Sequence, residues 1–386
     1  MEFKRMEATR MFEKYYVLLP RRSAYAALFV LLILAASSAR ASDDLPHRLL
    51  ESGRREFAVG NYKQAEFYLR RSVTEAGNGG ASDTELVLCL GDLANVLLIQ
   101  GKTDESEVFL DRAIAILKSR PTVDRRQLPI LLGLLGTLYQ QTGRLDQTEA
   151  ILNEALHLGK KLLADEPLYL SDIHNDLGVL HLKTGKRKEA ESDFKTALAL
   201  VGKVENVEME SSDRRASILA NLSAVYFVQE KRSLAEQTLL HSIEIVERTH
   251  GSEHPNVCAL LENLGLLYLE QDDLVRSETV LRRELAIRRT VFGLENASTA
   301  SAAATLANVL VARNEYEEAG ILFAEALKTQ EQVLGRGPEV ATTLDQFANL
   351  LRRTHRDDLA GDMASRAESI RFESAYTVSV RSRRAR

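Results

Sequence analysis

The sequence is poor in aromatic residues and contains no tryptophan. Phenylalanine, tyrosine and tryptophan together account for 6% of its 386 residues, whereas hydrophobic residues of all kinds account for 45%. A core built mainly from aliphatic and alanine side chains suits closely paired helices. The shortage of aromatic residues therefore favours a helical protein over one with large aromatic clusters.

Catalytic signatures are also missing from the sequence. It has no HExxH zinc motif, no GxSxG nucleophile motif, and no phosphate-binding glycine loop between a strand and a helix. His174 and His181 are seven residues apart, two turns along one helix, and would hold a metal only with ligands from elsewhere. A hydrolase would need these histidines to converge with a carboxylate in a pocket. The sequence predicts a protein that is not an enzyme and needs no cofactor or metal.

An excess of basic charge is the third feature that the chain lacks. It has 50 Lys and Arg against 55 Asp and Glu, a formal net charge of −5. Proteins that bind nucleic acids present a basic face that neutralises phosphates. The acidic balance argues against a general nucleic-acid partner.

What the sequence does contain is a repeat of about 42 residues. One small residue recurs in each predicted second helix, and another recurs twelve residues earlier, in the predicted first helix. The second-helix residues are Ala65, Ser106, Thr148, Ala190, Ala235, Ser277, Ala319 and Ala360. The first-helix residues are Gly53, Ala94, Gly136, Gly178, Ser223, Gly265, Ala307 and Ala348. Small side chains let two helices cross closely, so these crossing residues predict eight helix–turn–helix units.

The prolines agree with this division. A proline in a helix interior costs about 3 kcal/mol, whereas the first turn tolerates it. Six prolines fall between units or at predicted helix starts: Pro46, Pro121, Pro129, Pro167, Pro255 and Pro338.

The repeats resemble the tetratricopeptide family, whose pattern is L-G-x2-Y, then A-x3-F, then A. Leu177-Gly178 with Ala190, Phe194 and Ala197 meets it, as does Leu306-Ala307 with Ala319, Phe323 and Ala326. The period exceeds the family's usual length of about 34 residues. With Glu253-His254-Pro255 before a first helix and Asn263-Leu264 inside it, the repeat resembles the kinesin-light-chain type. The resemblance covers Leu45–Phe372. It implies an all-α, right-handed superhelical solenoid of about eight helix–turn–helix repeats.

Residues 1–41 stand apart from the repeats. Arg21-Arg22 precedes an apolar run at residues 24–36, and Ala39-Arg40-Ala41 follows as a small-x-small cleavage pattern. A run of this length is short for a membrane span, which needs about 20 residues. The pattern predicts a secretory signal peptide cleaved after Ala41, hence a periplasmic or extracellular protein. The alternative is an uncleaved membrane anchor, which Arg40 inside the cleavage site favours.

The predicted repeat domain spans residues 42–372, and residues 373–386 follow as a basic tail. We expect this tail to be disordered, although Tyr376, Val378 and Val380 alternate with polar residues as in a strand. The two cysteines, Cys89 and Cys258, lie four repeats apart. Repeats touch only their neighbours, so we expect each cysteine to pack as a small apolar side chain and not to form a disulfide.

Polar residues recur beside the crossing residues of the first helices. In proteins that this chain resembles, these helices line a concave groove. Side chains of Asn, Asp, Gln and Thr in that groove could pair with the backbone of an extended peptide. The candidate groove residues are Asp92, Asn95, Asp176, Asn221, Asn263, Thr305, Asn308, Gln346 and Asn349. Alternatively, these side chains bond neighbouring helices or are merely solvated.

These observations favour an exported, non-catalytic scaffold that binds a protein or peptide in the groove of a tetratricopeptide-like array. The alternative is a membrane-tethered assembly factor that organises an envelope protein complex through its N-terminal anchor. The membrane enters only through residues 24–36, and the sequence does not identify the partner.

Overall fold

The computed structural model describes residues 45–120, 123–203 and 208–384. In these ranges the regular elements are helices, which follow one another as helix–turn–helix pairs. The first helices of the pairs are α1 (Leu45–Ala58), α3 (Asp83–Ile99), α5 (Gln127–Gln141), α7 (Pro167–Lys183), α9 (Glu208–Val228), α11 (Cys258–Glu270), α13 (Ala297–Ala312) and α15 (Pro338–Arg353). The second helices are α2 (Tyr62–Glu75), α4 (Thr103–Ser119), α6 (Leu145–Leu162), α8 (Arg187–Val201), α10 (Arg232–His250), α12 (Leu274–Phe292), α14 (Tyr316–Leu334) and α16 (Asp357–Arg384). The predicted all-α class and the eight helix pairs are confirmed.

The described helices divide into two compact units. The first unit ends at Lys231 and contains α1 to α9, and the second begins at Arg232 and contains α10 to α16. The sequence predicts one repeat domain over residues 42–372, without this division. The boundary falls between the two helices of repeat five, and not at a junction between repeats.

In the seven pairs that lie within one unit, the core lies where the two helices cross. All sixteen crossing residues are buried, as their small size predicts. At four crossings the first helix carries glycine, and an added Cβ would lie 2.4 to 2.7 Å from a side chain of the second helix. Those side chains are Leu69, Leu152, Phe194 and Leu281, facing Gly53, Gly136, Gly178 and Gly265 in turn. Glycine is needed at these positions because the partner side chain fills the space.

The turns between paired helices share one backbone conformation. The residue seven places after each first-helix crossing residue has a φ between 58° and 78°. These residues are Gly60, Gly101, Gly143, Gly185, Glu230, Asp272, Asn314 and His355. Since residues with a Cβ rarely adopt this left-handed conformation, the last four turns are less favourable than the first four.

The described prolines lie where the sequence predicts them. Pro46, Pro129, Pro167 and Pro338 occupy first turns of helices, and Pro255 begins the short 3₁₀ turn Pro255–Val257 before α11. Pro121 lies outside the described residues.

The end of the chain differs from the expectation of a disordered tail. Helix α16 continues to Arg384, so most of residues 373–386 extend the last helix. The alternation of Tyr376, Val378 and Val380 therefore belongs to helical backbone and not to a strand. Extending an existing helix adds one hydrogen bond for each residue that is ordered. No proline or glycine interrupts the sequence after Gly361.

The predicted signal peptide or anchor, residues 1–41, lies outside the described residues. Within the described ranges, no helix has the length and apolar character required to cross a membrane.

Candidate functional site on the first helices

The candidate groove residues all lie on first helices, but the structure buries them to different degrees. Asn221 and Asn263 are 0% exposed, and Asp92 and Asp176 are 8% and 5% exposed. The remaining five are half-buried: Asn95, Thr305, Asn308, Gln346 and Asn349. The predicted row thus separates into a buried part and an accessible part.

In the buried part, Asp92 ties α3 to the preceding repeat. Its carboxylate accepts a hydrogen bond of 2.6 Å from Nε of Arg54, on α1. Nη1 of the same guanidinium donates to Glu51 at 2.8 Å. Burial raises the pKa of Asp92 to about 6, an effect that the charge of Arg54 partly offsets. This carboxylate holds two repeats together.

Asp176 and Asn221 make similar links between first helices. The hydroxyl of Thr137, on α5, donates to Asp176 at 3.2 Å. The Asn221 amide, on α9, donates to Oδ1 of Asn175 at 3.0 Å. Both contacts join consecutive repeats, as the alternative interpretation of the row predicts.

The accessible part includes two consecutive first helices of the second unit. We call Thr305 and Asn308 on α13, with Gln346 and Asn349 on α15, the α13–α15 strip. The Thr305 hydroxyl and the Asn308 amide donate to carbonyls of their own helix, at 3.1 and 3.0 Å. In the part of the chain that the structure describes, the side chains of Gln346 and Asn349 form no protein hydrogen bond. The strip therefore keeps hydrogen-bonding capacity for another molecule.

A series of ion pairs between consecutive repeats was not predicted from the sequence. In the first six repeats a glutamate directly follows the second-helix crossing residue. Each of these carboxylates pairs with a cation from the next repeat, and we call these contacts the junction ion pairs. They are Glu66–Lys102, Glu107–Arg144, Glu149–Lys186, Glu191–Lys231, Glu236–Arg276 and Glu278–Arg313. The periodic glutamate was a sequence signal that could have revealed them.

Repeat four contains a polar cluster between its two helices. Nδ1 of His174 and Nδ1 of His181 lie 2.9 and 2.8 Å from the two carboxylate oxygens of Asp193, on α8. Both histidines thus converge on one carboxylate, which is part of what a hydrolase at this place would need. Among the described residues, however, no hydroxyl or thiol is hydrogen-bonded to either ring, and no group of three or more His, Cys, Asp or Glu is placed to hold a metal. The cluster joins α7 to α8 and lacks a nucleophile.

Repeat six contains a buried charged cluster that sequence reasoning also missed. Glu284 is 0% exposed, at a position that is alanine or serine in the other seven repeats. One of its oxygens accepts a 2.6 Å hydrogen bond from Arg288, whereas the other has no hydrogen-bond partner among the described residues. Arg288 also contacts Glu262 at 3.3 Å. Burial, reinforced by the charge of Glu262, raises the pKa of Glu284 well above its usual range.

Both cysteines are free and buried. Burial raises the pKa of Cys89 to about 12 and that of Cys258 to about 11. The nucleophile of cysteine is its thiolate, so these thiols are unreactive at neutral pH.

Comparison with known proteins relates this architecture to a family. A family model described as tetratricopeptide repeat matches residues 127–202, 214–290 and 298–371, and a second model with that description matches residues 86–119. Among curated proteins, the clustered mitochondria protein homolog of Aspergillus fumigatus is 22% identical over 129 residues. That match covers 33% of this chain but only 10% of the relative.

Two solved structures show similar folds. The apo form of the quorum sensor NprR from B. thuringiensis matches with a TM-score of 0.65 and 11% identity, over 96% of this chain and 98% of that one. BtubC (BKLC) from P. vanneervenii matches with a TM-score of 0.54 and 18% identity, over 60% of this chain and 92% of that one. At these identities the likeness concerns the fold.

Proposed function

The chain belongs to the tetratricopeptide repeat family, and we propose that it is an exported, non-catalytic scaffold that binds a protein or peptide. The observation that carries this proposal is the α13–α15 strip. Its half-buried amides lie on consecutive first helices that contact each other. Amide side chains both donate and accept hydrogen bonds, so they match the peptide groups of an extended chain.

The binding proposal is tested on the strip and not on Asn221 and Asn263. Those two asparagines are buried, so replacing them would disturb packing. They also lie in different compact units. The purified protein is first used to capture its partner from the native host, and the partner is then titrated by calorimetry. Replacing Asn308 and Asn349 together with alanine should weaken binding by about 1–3 kcal/mol, at roughly 0.5–1.5 kcal/mol for each hydrogen bond.

Gln332→Ala provides the matched control, because this exposed amide lies on the second helix α14. It should bind the partner as the wild type does. Equal affinity of the double variant and the wild type, with unchanged circular dichroism, would exclude the strip as the binding surface.

The export proposal rests on residues 24–41 of the sequence. N-terminal sequencing of the protein from its native host should find a chain that begins at Ser42. A chain in the membrane fraction that keeps residues 24–36 would instead support the alternative, a membrane-tethered assembly factor that organises an envelope complex.

A further inference from the structure

We propose that the junction between repeats seven and eight is a second binding surface, which pairs Arg356 with a carboxylate of an acidic peptide in a protein partner. This inference extends the proposed scaffold function to the turn edge of the array. It does not involve the α13–α15 strip.

Arg356 occupies the position of the cations in four of the six junction ion pairs. Like Lys102, Arg144, Lys186 and Lys231, it lies eight residues after the crossing residue of its first helix. Its backbone N–H donates to the carbonyl of Leu351, five residues earlier, at 2.9 Å. Lys102 and Arg144 make the same backbone hydrogen bond, to Leu97 and Tyr139, at 2.9 and 2.8 Å. All three cations directly precede a second helix. The turn of repeat eight therefore presents its cation from the same place as the turns of earlier repeats.

The carboxylate that should face Arg356 is missing. The residue after the crossing residue Ala319 is Gly320, where the first six repeats have glutamate. In the part of the chain that the structure describes, no carboxylate lies within ion-pair distance of the Arg356 guanidinium. This junction therefore has the cation of an ion pair, Arg356, without the carboxylate that the other junctions provide.

Neither the backbone nor the packing requires glycine at position 320. Gly320 lies within α14 without a positive φ, and an added Cβ would approach only Leu350 Cδ2, at 3.8 Å. Glycine inside a helix destabilises it by roughly 0.5–1 kcal/mol relative to alanine. The absence of a side chain leaves open the space into which the first six repeats extend a glutamate, and a group from another molecule can enter it.

The surrounding charges also leave Arg356 available. Arg352 and Arg353, at the end of α15, are exposed and add positive charge beside it. Asp357 and Asp358, in the first turn of α16, are exposed acids of the same repeat. Earlier repeats also carry an acid in the first turn of their second helix, Asp104 in α4 and Asp146 in α6. There the cation still pairs across the junction, so an acid in this turn does not replace the missing glutamate.

The first turn of α14 and the residue before it carry further carboxylates of repeat seven. Glu317 is exposed in the first turn of α14, whereas Glu315 and Glu318 are already paired with Arg313 and Arg282. The cationic side of the junction is thus formed by three exposed arginines, which suits an acidic peptide with several carboxylates.

The experiment measures binding of fluorescein-labelled hexaglutamate to the purified protein by fluorescence anisotropy at low salt. Gly320→Glu supplies the missing carboxylate within the chain and should weaken binding about two- to fivefold, the range expected for one exposed ion pair. Arg356→Gln should weaken it to a similar extent. Gly320→Gln, which adds the same bulk without charge, should bind as the wild type does.

Lys186→Gln is the matched control, because Lys186 already pairs with Glu149 at 2.7 Å. This variant should bind hexaglutamate normally. Equal binding by the Gly320→Glu and Gly320→Gln variants would overturn the proposal. So would equal losses for Lys186→Gln and Arg356→Gln, which would indicate general attraction of a polyanion. Hexaglutamate binding should survive replacement of Asn308 and Asn349, so failure of the strip and failure of this junction are distinguishable.

Discussion

The ring of Phe194 occupies the space that a side chain on Gly178 would need. A Cβ added to Gly178 would lie 2.7 Å from Cε1 of Phe194 and 2.8 Å from two further ring atoms. Both residues are buried between α7 and α8. The closeness of this helix pair therefore depends on the absence of a side chain at one position.

Gly178→Leu should separate α7 from α8. Overpacking of this kind typically costs about 1–3 kcal/mol in the free energy of unfolding, which urea denaturation followed by circular dichroism would measure. Gly361→Leu is the control, since no atom lies within 4 Å of a Cβ at that helical position. Equal stability of the two variants would contradict the packing argument.

Glu230→Gly should stabilise the protein. Glu230 has a φ of 61° in the turn before α10, where Gly185 has 77° in the equivalent turn of repeat four. A residue with a Cβ in this conformation costs about 1 kcal/mol relative to glycine. The gain should appear as a higher midpoint of urea unfolding. The reverse change, Gly185→Glu, should lower this midpoint. A shift of the midpoint in the same direction for both variants would contradict the prediction.

The ionised carboxylate of Glu191 should stabilise the folded protein, and this stabilisation should disappear in strong acid. A hydrogen bond from Lys195 lowers the pKa of Glu191 from 4.5 to about 2, with further lowering by Gln229 and Lys231. Because the folded pKa lies below the unfolded one, the contribution is complete above pH 4.5 and is lost as pH falls from 4.5 to 2. Between pH 4.5 and 2, the free energy of unfolding of the Glu191→Gln variant, measured with urea, should fall less than that of the wild type.

Glu189→Gln provides the comparison for this acid-pH experiment, because Glu189 is exposed on the same helix and forms no ion pair with any described residue. Its unfolding free energy should follow that of the wild type at every pH. A steeper acid loss for Glu191→Gln than for the wild type would contradict the sign of the shift.

Glu284 should destabilise the protein as pH rises. Its folded pKa lies above the usual 4.5 because of burial and the charge of Glu262, so the folded state holds the proton more tightly than the unfolded chain. Stability must then fall as pH rises from 4.5 towards that folded pKa. Five other repeats have alanine at this position, and Glu284→Ala removes an oxygen without a hydrogen-bond partner among the described residues. We expect it to stabilise the protein at pH 8 by about 1–3 kcal/mol.

Thermal and urea unfolding of the Glu284→Ala variant at pH 5 and pH 8 would check this expectation. The stabilisation should be larger at pH 8. A variant that is less stable than the wild type at both pH values would mean that the contacts of Arg288 outweigh the cost of the buried carboxylate.

Much of the fold could be predicted because its information is local. The pairing of Gly178 with Ala190 follows from two small residues at a fixed spacing that recurs through the chain. The tetratricopeptide repeats predicted from these residues are confirmed. The junction ion pairs could have been predicted too, since Glu66 and its five counterparts recur with the same period.

The individual behaviour of the candidate groove residues could not be predicted in this way. Asn221 and Gln346 both carry an amide two residues before a crossing residue, yet Asn221 is buried and Gln346 is half-buried. Burial depends on what the adjoining repeats place beside each side chain, which lies about 40 residues away in sequence. The same holds for His174 and His181, whose shared contact with Asp193 requires two packed helices.

The sequence by itself determined where each helix pair begins, turns and crosses, because small residues, prolines and turn residues act on their own segment of backbone. Only the tertiary structure decided which polar side chains join repeats and which remain available, because that depends on contacts between repeats. Asp92, which accepts a hydrogen bond from Arg54, and Arg356, for which the preceding repeat has Gly320 in place of glutamate, illustrate the two outcomes. In the first case a neighbour supplies the partner of a charged group, and in the second the neighbour has no side chain to offer.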